Sequence, residues 1–454
     1  MKNEKLYDAL LSLTKVTLVI VSDRISTELV VTTENIWEKQ NDNSYVKRQI
    51  QKPLWVIVLH KAQAEIKAKQ EHIDLISILE SDETISNQID TLVGTCMGSF
   101  RIEANNITSW PVYEFLSDQG IIPFSISIFN KIYSKIENAL YSEEIEYENI
   151  TPLCGFNSHL PDISLDENIS IVKLSEEEVI EILRLGINLG TSMGNTDFVH
   201  GLHQYALKIK YNLKKIIGDR DRDTDEIEDN VYFNGTYETS IIDALRIYKE
   251  GKLYPITTIR RSKNPLSIGT SFSFETPVKH FMNNKFVLTK EESEEFKDFW
   301  AARKQTKLPD KNFLSVGIRR FSQSNERNNI EDRIIDLMIA AESIFLSSGG
   351  SFQGELKYRL SHRAAMFIEE DTEKQRYVFG FMQKAYDVRS AIVHGSTPKL
   401  PKKIDETEYT LEEFCDDIEK YLRISIKKTM TQVIKSEDKA NIIDWKAVIF
   451  PEDN

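Results

Sequence analysis

No apolar run in this sequence approaches the roughly 20 residues a helix needs to cross a bilayer. The longest runs, Val16-Thr-Leu-Val-Ile-Val21 and Leu54-Trp-Val-Ile-Val-Leu59, have the size of strands. Cysteine is scarce. Cys96, Cys154 and Cys415 lie far apart without a C-x-x-C pair, which argues against a disulfide framework or a zinc site. No signal-like apolar segment with a cleavage site follows Met1, so the expectation is a reduced, cytoplasmic protein without membrane contact. A basic excess is also lacking: the net charge is −14, against the pattern of a general nucleic-acid binder. The acidity is uneven. Residues 311–440 carry 21 basic and 21 acidic side chains and residues 441–454 a net −2, which leaves −12 on residues 1–310. An RNA substrate would have to be gripped by a local basic cleft.

What is present is an ordinary folded composition, 41% apolar and 28% charged, in a chain of 454 residues that is too long for one core. The texture predicts an α+β multidomain protein, with a mixed α/β N-terminal region followed by an all-α helical bundle. Residues 1–160 read as mixed α/β: strands at Val16–Val21, Glu28–Thr33 and Trp55–His60, a helix over Ala62–Glu80, and strand character over Leu92–Ile107 broken by Gly94 and Gly98. Residues 161–288 read as a helical and short-strand middle region. There Ser175-Glu-Glu-Glu178 forms a capping box ahead of the helical run Val179–Leu189, and a second helix is expected over Phe198–Ile217. Gly218 to Asn230 is almost wholly charged and reads as a solvated loop without EF-hand register. Short strands and turns are expected over 231–288. Residues 289–440 read as helix after helix: Lys290–Lys304 capped by Thr289, then Phe313–Asn325, Ile330–Leu346, Glu355–Ile368, Glu373–His394 and Leu411–Ile434. Gly349-Gly350, Gly395, Pro398 and Pro401 stand where stops are needed. Residues 441–454 are a tail.

Phosphate-binding, dinucleotide-binding, zinc-protease and serine-hydrolase motifs are all missing. His200 and His203 have no Cys or carboxylate partner at metal-ligand spacing and read as incidental, so no metal or cofactor is expected. The positive finding is Arg389-Ser-Ala-Ile-Val-His394, an R-x-x-x-x-H element at the end of a predicted helix and directly before Gly395. Alone the spacing is common. Five residues turn an ideal helix by about 140°, so the two side chains diverge on a straight rod, and a frayed or kinked last turn is one way to bring both into one cleft. The residue types suit RNA chemistry. An imidazole titrating near neutrality takes the proton of a ribose 2′-hydroxyl or gives one to the departing 5′-oxygen. A guanidinium suits the charge on a pentacoordinate phosphorus. The product would be a 2′,3′-cyclic phosphate, made without metal. Two such pairs meeting across a dimer would supply an acid, a base and two cations.

Four blocks in order then carry a resemblance. They are Gly317-Ile-Arg-Arg-Phe321, Glu331-Asp-Arg-Ile-Ile-Asp-Leu-Met-Ile-Ala-Ala-Glu-Ser-Ile-Phe345, Glu355-Leu-Lys-Tyr-Arg-Leu-Ser-His-Arg-Ala-Ala365 and Tyr386-Asp-Val-Arg-Ser-Ala-Ile-Val-His-Gly395. Residues 313 to about 435 resemble the Apea-like branch of the HEPN superfamily, small helical bundles that act as ribonucleases in antiviral defence and toxin systems. The resemblance implies that Arg389 and His394 are catalytic, that RNA is the substrate and that two protomers form the cleft. Ser390 follows the arginine where many members carry Asn, Asp or His, which leaves its auxiliary role open. Glu342, on an otherwise apolar face, is either the ion-pair partner of Arg389 or Arg359 or a surface residue. Arg359 and Arg363, four apart, serve either RNA phosphates or structural salt bridges. His362 and Asp387 read as surface residues. The functional expectation is a metal-independent endoribonuclease of an abortive-infection system, dimeric at least, with the N-terminal region sensing a phage-derived trigger or restraining the nuclease. The rival readings are a HEPN bundle used only for dimerisation or as an RNA-binding adaptor, and a toxin neutralised by a separate antitoxin.

Overall fold

Val16–Val21, which reads as a strand, lies inside the 25-residue helix Glu4–Glu28. Six residues are too short a window to show the period. Over the whole segment Leu6, Leu10, Leu13, Thr17, Ile20 and Val21 are buried at spacings of three and four, and this stripe overrides the β-branched preference of Val and Ile. Trp55–His60 is helical for the same reason: Trp55, Val58, Leu59 and Ala62 form the buried face of helix Trp55–Lys67. The helix expected over Ala62–Glu80 is two, breaking at Ala68-Lys69 before Gln70–Ser81.

The computed structural model describes residues 2–95, 98–119, 124–190, 197–218, 236–266, 271–274, 285–305, 312–347, 355–403, 407–435 and 443–450. Cys96, the acidic stretch from Asp219 to Asn230, and Gly349-Gly350 lie outside these residues. A mixed α/β N-terminal region with several sheets is followed by a largely helical C-terminal region. The contacts group the chain into two units, each discontinuous in sequence: residues 1–152, 166–237 and 255–280, and residues 153–165, 238–254 and 281–454.

In the first unit, helices Glu4–Glu28, Gln70–Ser81, Ala104–Gln119 and Ile126–Tyr141 enclose a core that includes Leu10, Leu75, Leu79, Phe115, Phe129 and Ile136. A hairpin pairs Val31–Lys39 with Tyr45–Pro53, and Leu92–Thr95 pairs with Gly98–Arg101 with Gly94 and Gly98 inside the strands, while the strand character expected on to Ile107 gives way to helix Ala104–Gln119. Phe198–Ile217, expected as a helix, contains the strand Tyr205–Lys214. Tyr205, Leu207, Ile209, Tyr211 and Leu213 alternate into the core, so the period is two. That strand pairs antiparallel with Glu144–Cys154 on one side and Ile169–Lys173 on the other. Thr257–Ser262 continues the sheet beyond Glu144–Cys154, followed by Ser271–Phe274. The capping box closes as the sequence predicts: Glu178 N donates to Ser175 Oγ at 3.2 Å and Ser175 N to Glu178 Oε2 at 3.0 Å, opening helix Glu176–Arg184.

The second unit is largely helical among its described residues and includes a short parallel pair, Phe156–Ser158 with Phe286–Leu288. Helix Thr236–Tyr248 stands where short strands and turns are expected; Ile241, Leu245 and Ile247 are fully buried. Lys290–Gln305 begins at a second capping box, Thr289 with Glu292. Phe313–Glu326, Ile330–Phe345, Leu356–Ile368, Thr372–Val393 and Leu411–Lys435 follow, each within two residues of its sequence prediction at either end. Their shared core includes Phe321, Leu337, Phe345, Leu360, Met382, Phe414 and Leu422. Buried charge crosses it in a paired network. Glu419 binds Arg333 and Arg423, and Arg423 Nε donates to the Arg246 carbonyl at 3.0 Å. Burial pushes the Glu419 carboxyl up, but Arg333 and Arg423 outweigh it and hold it below the usual range. Breaking such a network from one side costs about 3–5 kcal/mol, because the remaining charge is left uncompensated.

Candidate active site

Helix Thr372–Val393 starts at Asp371, whose side chain accepts from Lys374 N at 3.0 Å. Val378, Phe381, Met382, Ala385 and Val388 form its buried stripe. Arg389 follows Val388 and so stands on the flank of that stripe, half-buried rather than in open solvent. Glu342 holds the matching flank of helix Ile330–Phe345, beside buried Ala341. The two meet: Arg389 Nη1 lies 3.9 Å from Glu342 Oε1, with side-chain exposures of 27% and 28%. At that separation the attraction is ionic and no hydrogen bond forms. Arg389 Nε is buried and has no hydrogen-bond partner among the described residues. The guanidinium is thus oriented by charge and keeps donors unspent.

His394 is the C-cap of the same helix, with φ −90° and ψ 8°, and its N–H donates to the Ser390 carbonyl at 3.1 Å. Gly395 takes φ 67°. Its N–H reaches the Ile392 carbonyl at 3.0 Å, and Ser396 N reaches the Ala391 carbonyl at 2.8 Å. These two bonds are the Schellman motif, and they turn the chain at a defined angle behind an exposed imidazole. The end of the helix is therefore fixed by backbone bonds rather than frayed. Ser390 is half-exposed on the last turn.

The remaining sequence candidates separate. Arg363 Nη1 donates to the Phe345 carbonyl at 2.9 Å, and its guanidinium carbon lies 4.7 Å from the Trp445 ring centroid. It closes the C-terminal end of helix Ile330–Phe345 and is engaged structurally. Burial and the neighbouring Arg359 charge lower its pKa. Arg359 is half-buried on the same helix, Leu356–Ile368. His362 stacks on Tyr358 at 5.8 Å. Asp387, read as a solvated residue, makes two 2.7 Å contacts with Lys357 Nζ, tying helix Leu356–Ile368 to the Arg389 helix. No local pattern signals that pair, since its members are 30 residues apart in sequence. Tyr358, 52% exposed, packs edge-on against Phe379 at 5.5 Å. His200 and His203 do not lie on a helix, and His200 stacks on Phe198 at 5.6 Å. Among the described residues no group of three His, Cys, Asp or Glu is placed to hold a metal, and no helix is long and apolar enough to cross a membrane.

Compared with known proteins, the chain matches no family model, no curated protein and no solved structure.

Proposed function

We propose that the helical C-terminal region is an endoribonuclease of the HEPN type that cleaves RNA by metal-independent transesterification. The observation that carries this reading is Arg389: a half-buried guanidinium, oriented by Glu342 at 3.9 Å, whose buried Nε has no partner within the described chain. The side chain is 27% exposed, so its terminal nitrogens, rather than the buried Nε, are the donors open to an RNA phosphate. The exposed His394 imidazole, on a rigid cap five residues on, supplies the proton transfer.

In the reaction the ribose 2′-oxygen forms a bond to phosphorus as its proton leaves. The bond from phosphorus to the 5′-oxygen breaks, and that oxygen takes a proton. Arg389 offsets the charge on the phosphorane, and His394 serves one of the two proton transfers. A second copy of the chain supplies the other, which makes a dimer the working unit of this proposal. The acidic N-terminal region is assigned the sensing or restraining role in an abortive-infection system, since a nuclease harmful to its host needs restraint.

The test is incubation of purified wild type, Arg389→Ala and His394→Ala with total RNA in EDTA, with new 3′ ends mapped for cyclic phosphate. Cleavage by wild type alone is the expected result, with a loss of at least about a hundredfold in each variant. Cleavage persisting in both variants removes the site assignment. Absence of cleavage by all three, repeated with RNA from phage-infected cells expressing the chain, favours the adaptor reading.

A further inference from the structure

Glu342 stands on the last turn of helix Ile330–Phe345, and its carbonyl accepts from the C-cap N–H of Leu346 at 3.0 Å. The carbonyls beyond it have no donor further along the helix and need one from elsewhere. Side chains supply it. Ser347 Oγ donates to the Ile344 carbonyl at 2.9 Å, and Arg363 Nη1 donates to the Phe345 carbonyl at 2.9 Å. Ser347 follows directly in the chain and moves with the turn. Arg363 comes from helix Leu356–Ile368 and so anchors the turn to a second element. A cationic donor on a helix C-terminus is also the stronger kind of bond.

Helix Leu356–Ile368 is tied in turn to the helix of Arg389. Lys357 Nζ contacts both Asp387 carboxylate oxygens at 2.7 Å, two residues before Arg389. One helix therefore braces both partners of the Glu342–Arg389 pair. The pair needs a brace, because at 3.9 Å it has no hydrogen bond of its own to fix its geometry. Arg363 is itself held in place. Its guanidinium carbon lies 4.7 Å from the Trp445 ring centroid, and that ring packs on Phe345 at 6.2 Å and on Phe367 at 5.8 Å. Trp445 is 7% exposed. We infer that Arg363 is a positioning residue of the candidate site: it fixes the turn that carries Glu342, and through Glu342 the Arg389 guanidinium. The inference rests on the nuclease reading of Arg389, and it gives Arg363 no contact with RNA.

The test is a double-mutant cycle in single-turnover cleavage of a short fluorescent RNA spanning a site mapped in total RNA. Wild type, Arg363→Gln, Glu342→Gln and the double variant are compared well below the Tm of each. Maximal rate and half-saturating concentration are fitted separately. A residue acting through Glu342 cannot lose more than the Glu342 charge does, about tenfold. Arg363→Gln should therefore lower the maximal rate about three- to tenfold and leave half-saturation within about twofold. In the Glu342→Gln background it should cost less than about twofold more. Arg363→Lys keeps a cationic donor but loses the flat face on Trp445, and should recover part of the rate. If Arg363→Gln does not fold, Arg363→Lys takes its place in the cycle, with an expected loss of about two- to threefold.

Losses that multiply across the cycle overturn the inference, as does an unchanged rate in the single Arg363 variant. A raised half-saturating concentration at an unchanged maximal rate also overturns it, being the mark of a phosphate contact. If wild type cleaves no RNA, or Arg389→Ala cleaves as well as wild type, the nuclease reading itself fails and this inference falls with it.

Discussion

At the scale of single residues, the candidate site depends on where a charge sits relative to a buried stripe. Arg389 is one position past Val388, which is 1% exposed, and this half-buried flank makes a distant carboxylate worth having. Glu342 lies close enough to attract the guanidinium and too far to take a hydrogen bond from it, which in the proposed reaction leaves those donors to the RNA. Removing its charge while keeping its shape should therefore reduce turnover without abolishing it. We expect Glu342→Gln to slow single-turnover RNA cleavage about tenfold, equivalent to about 1.4 kcal/mol of lost transition-state stabilisation. An unchanged rate would mean that the ion pair does not position Arg389. Arg363 shows the opposite use of the same residue type: with its donor on the Phe345 carbonyl and its face on Trp445, it serves the bundle.

At the scale of elements, the site exists because one helix stops in a defined way. Gly395 has φ 67°, and a Cβ built there meets nothing within 4 Å. The demand for glycine is thus purely conformational, and a β-branched residue suffers in backbone strain rather than in collision. Gly395→Val should lower stability by about 1–2 kcal/mol and, by loosening the His394 cap, lower cleavage by more than this loss explains. Thermal unfolding and cleavage by the same preparation check both parts. Equal, small effects would show that the Schellman turn is only a terminator. Gly317 is glycine for a different reason. A Cβ there comes within 3.1 Å of Ile344 Cγ1, so it permits the close approach of helices Phe313–Glu326 and Ile330–Phe345, the second of which carries Glu342.

At the scale of the molecule, the second unit draws in a helix, Thr236–Tyr248, that sequence texture places with the middle region. Arg246 explains why. It is 2% exposed and bonds Ser322 Oγ at 2.6 Å, Glu326 Oε1 at 3.1 Å and the Leu253 carbonyl. Asp243, one turn earlier, is pushed up to about 6 by burial, against the opposing pull of Ser322, Arg246 and Arg303. Its folded pKa thus exceeds the unfolded value of 3.8. The folded chain holds this proton more tightly, so the associated stability is complete below about pH 4 and declines as pH rises from 4 through 6. Asp243→Asn should remove that decline, and the stability of variant relative to wild type should rise by roughly 1–3 kcal/mol between pH 4 and 7. Parallel denaturant titrations across that range would contradict this if the difference stayed constant.

The sequence by itself determined the helices of residues 289–435, because long apolar stripes of period 3.6, the Thr289 cap and Gly395 are local signals. It also marked Arg389 and His394 as the pair to watch and offered Glu342 as an ion-pair partner of Arg389 or Arg359, with a surface position as the alternative. Short apolar segments were not legible in the same way. Val16–Val21 and Trp55–His60 became helices because a six-residue run fits both periods and only the packed neighbours choose between them, whereas Tyr205–Lys214 is a strand whose period-two alternation was already present in the sequence. Tertiary structure alone decided that Asp387 meets Lys357 and that Arg246 bonds Ser322 and Glu326. Each depends on residues far apart in the chain and leaves no trace in local spacing.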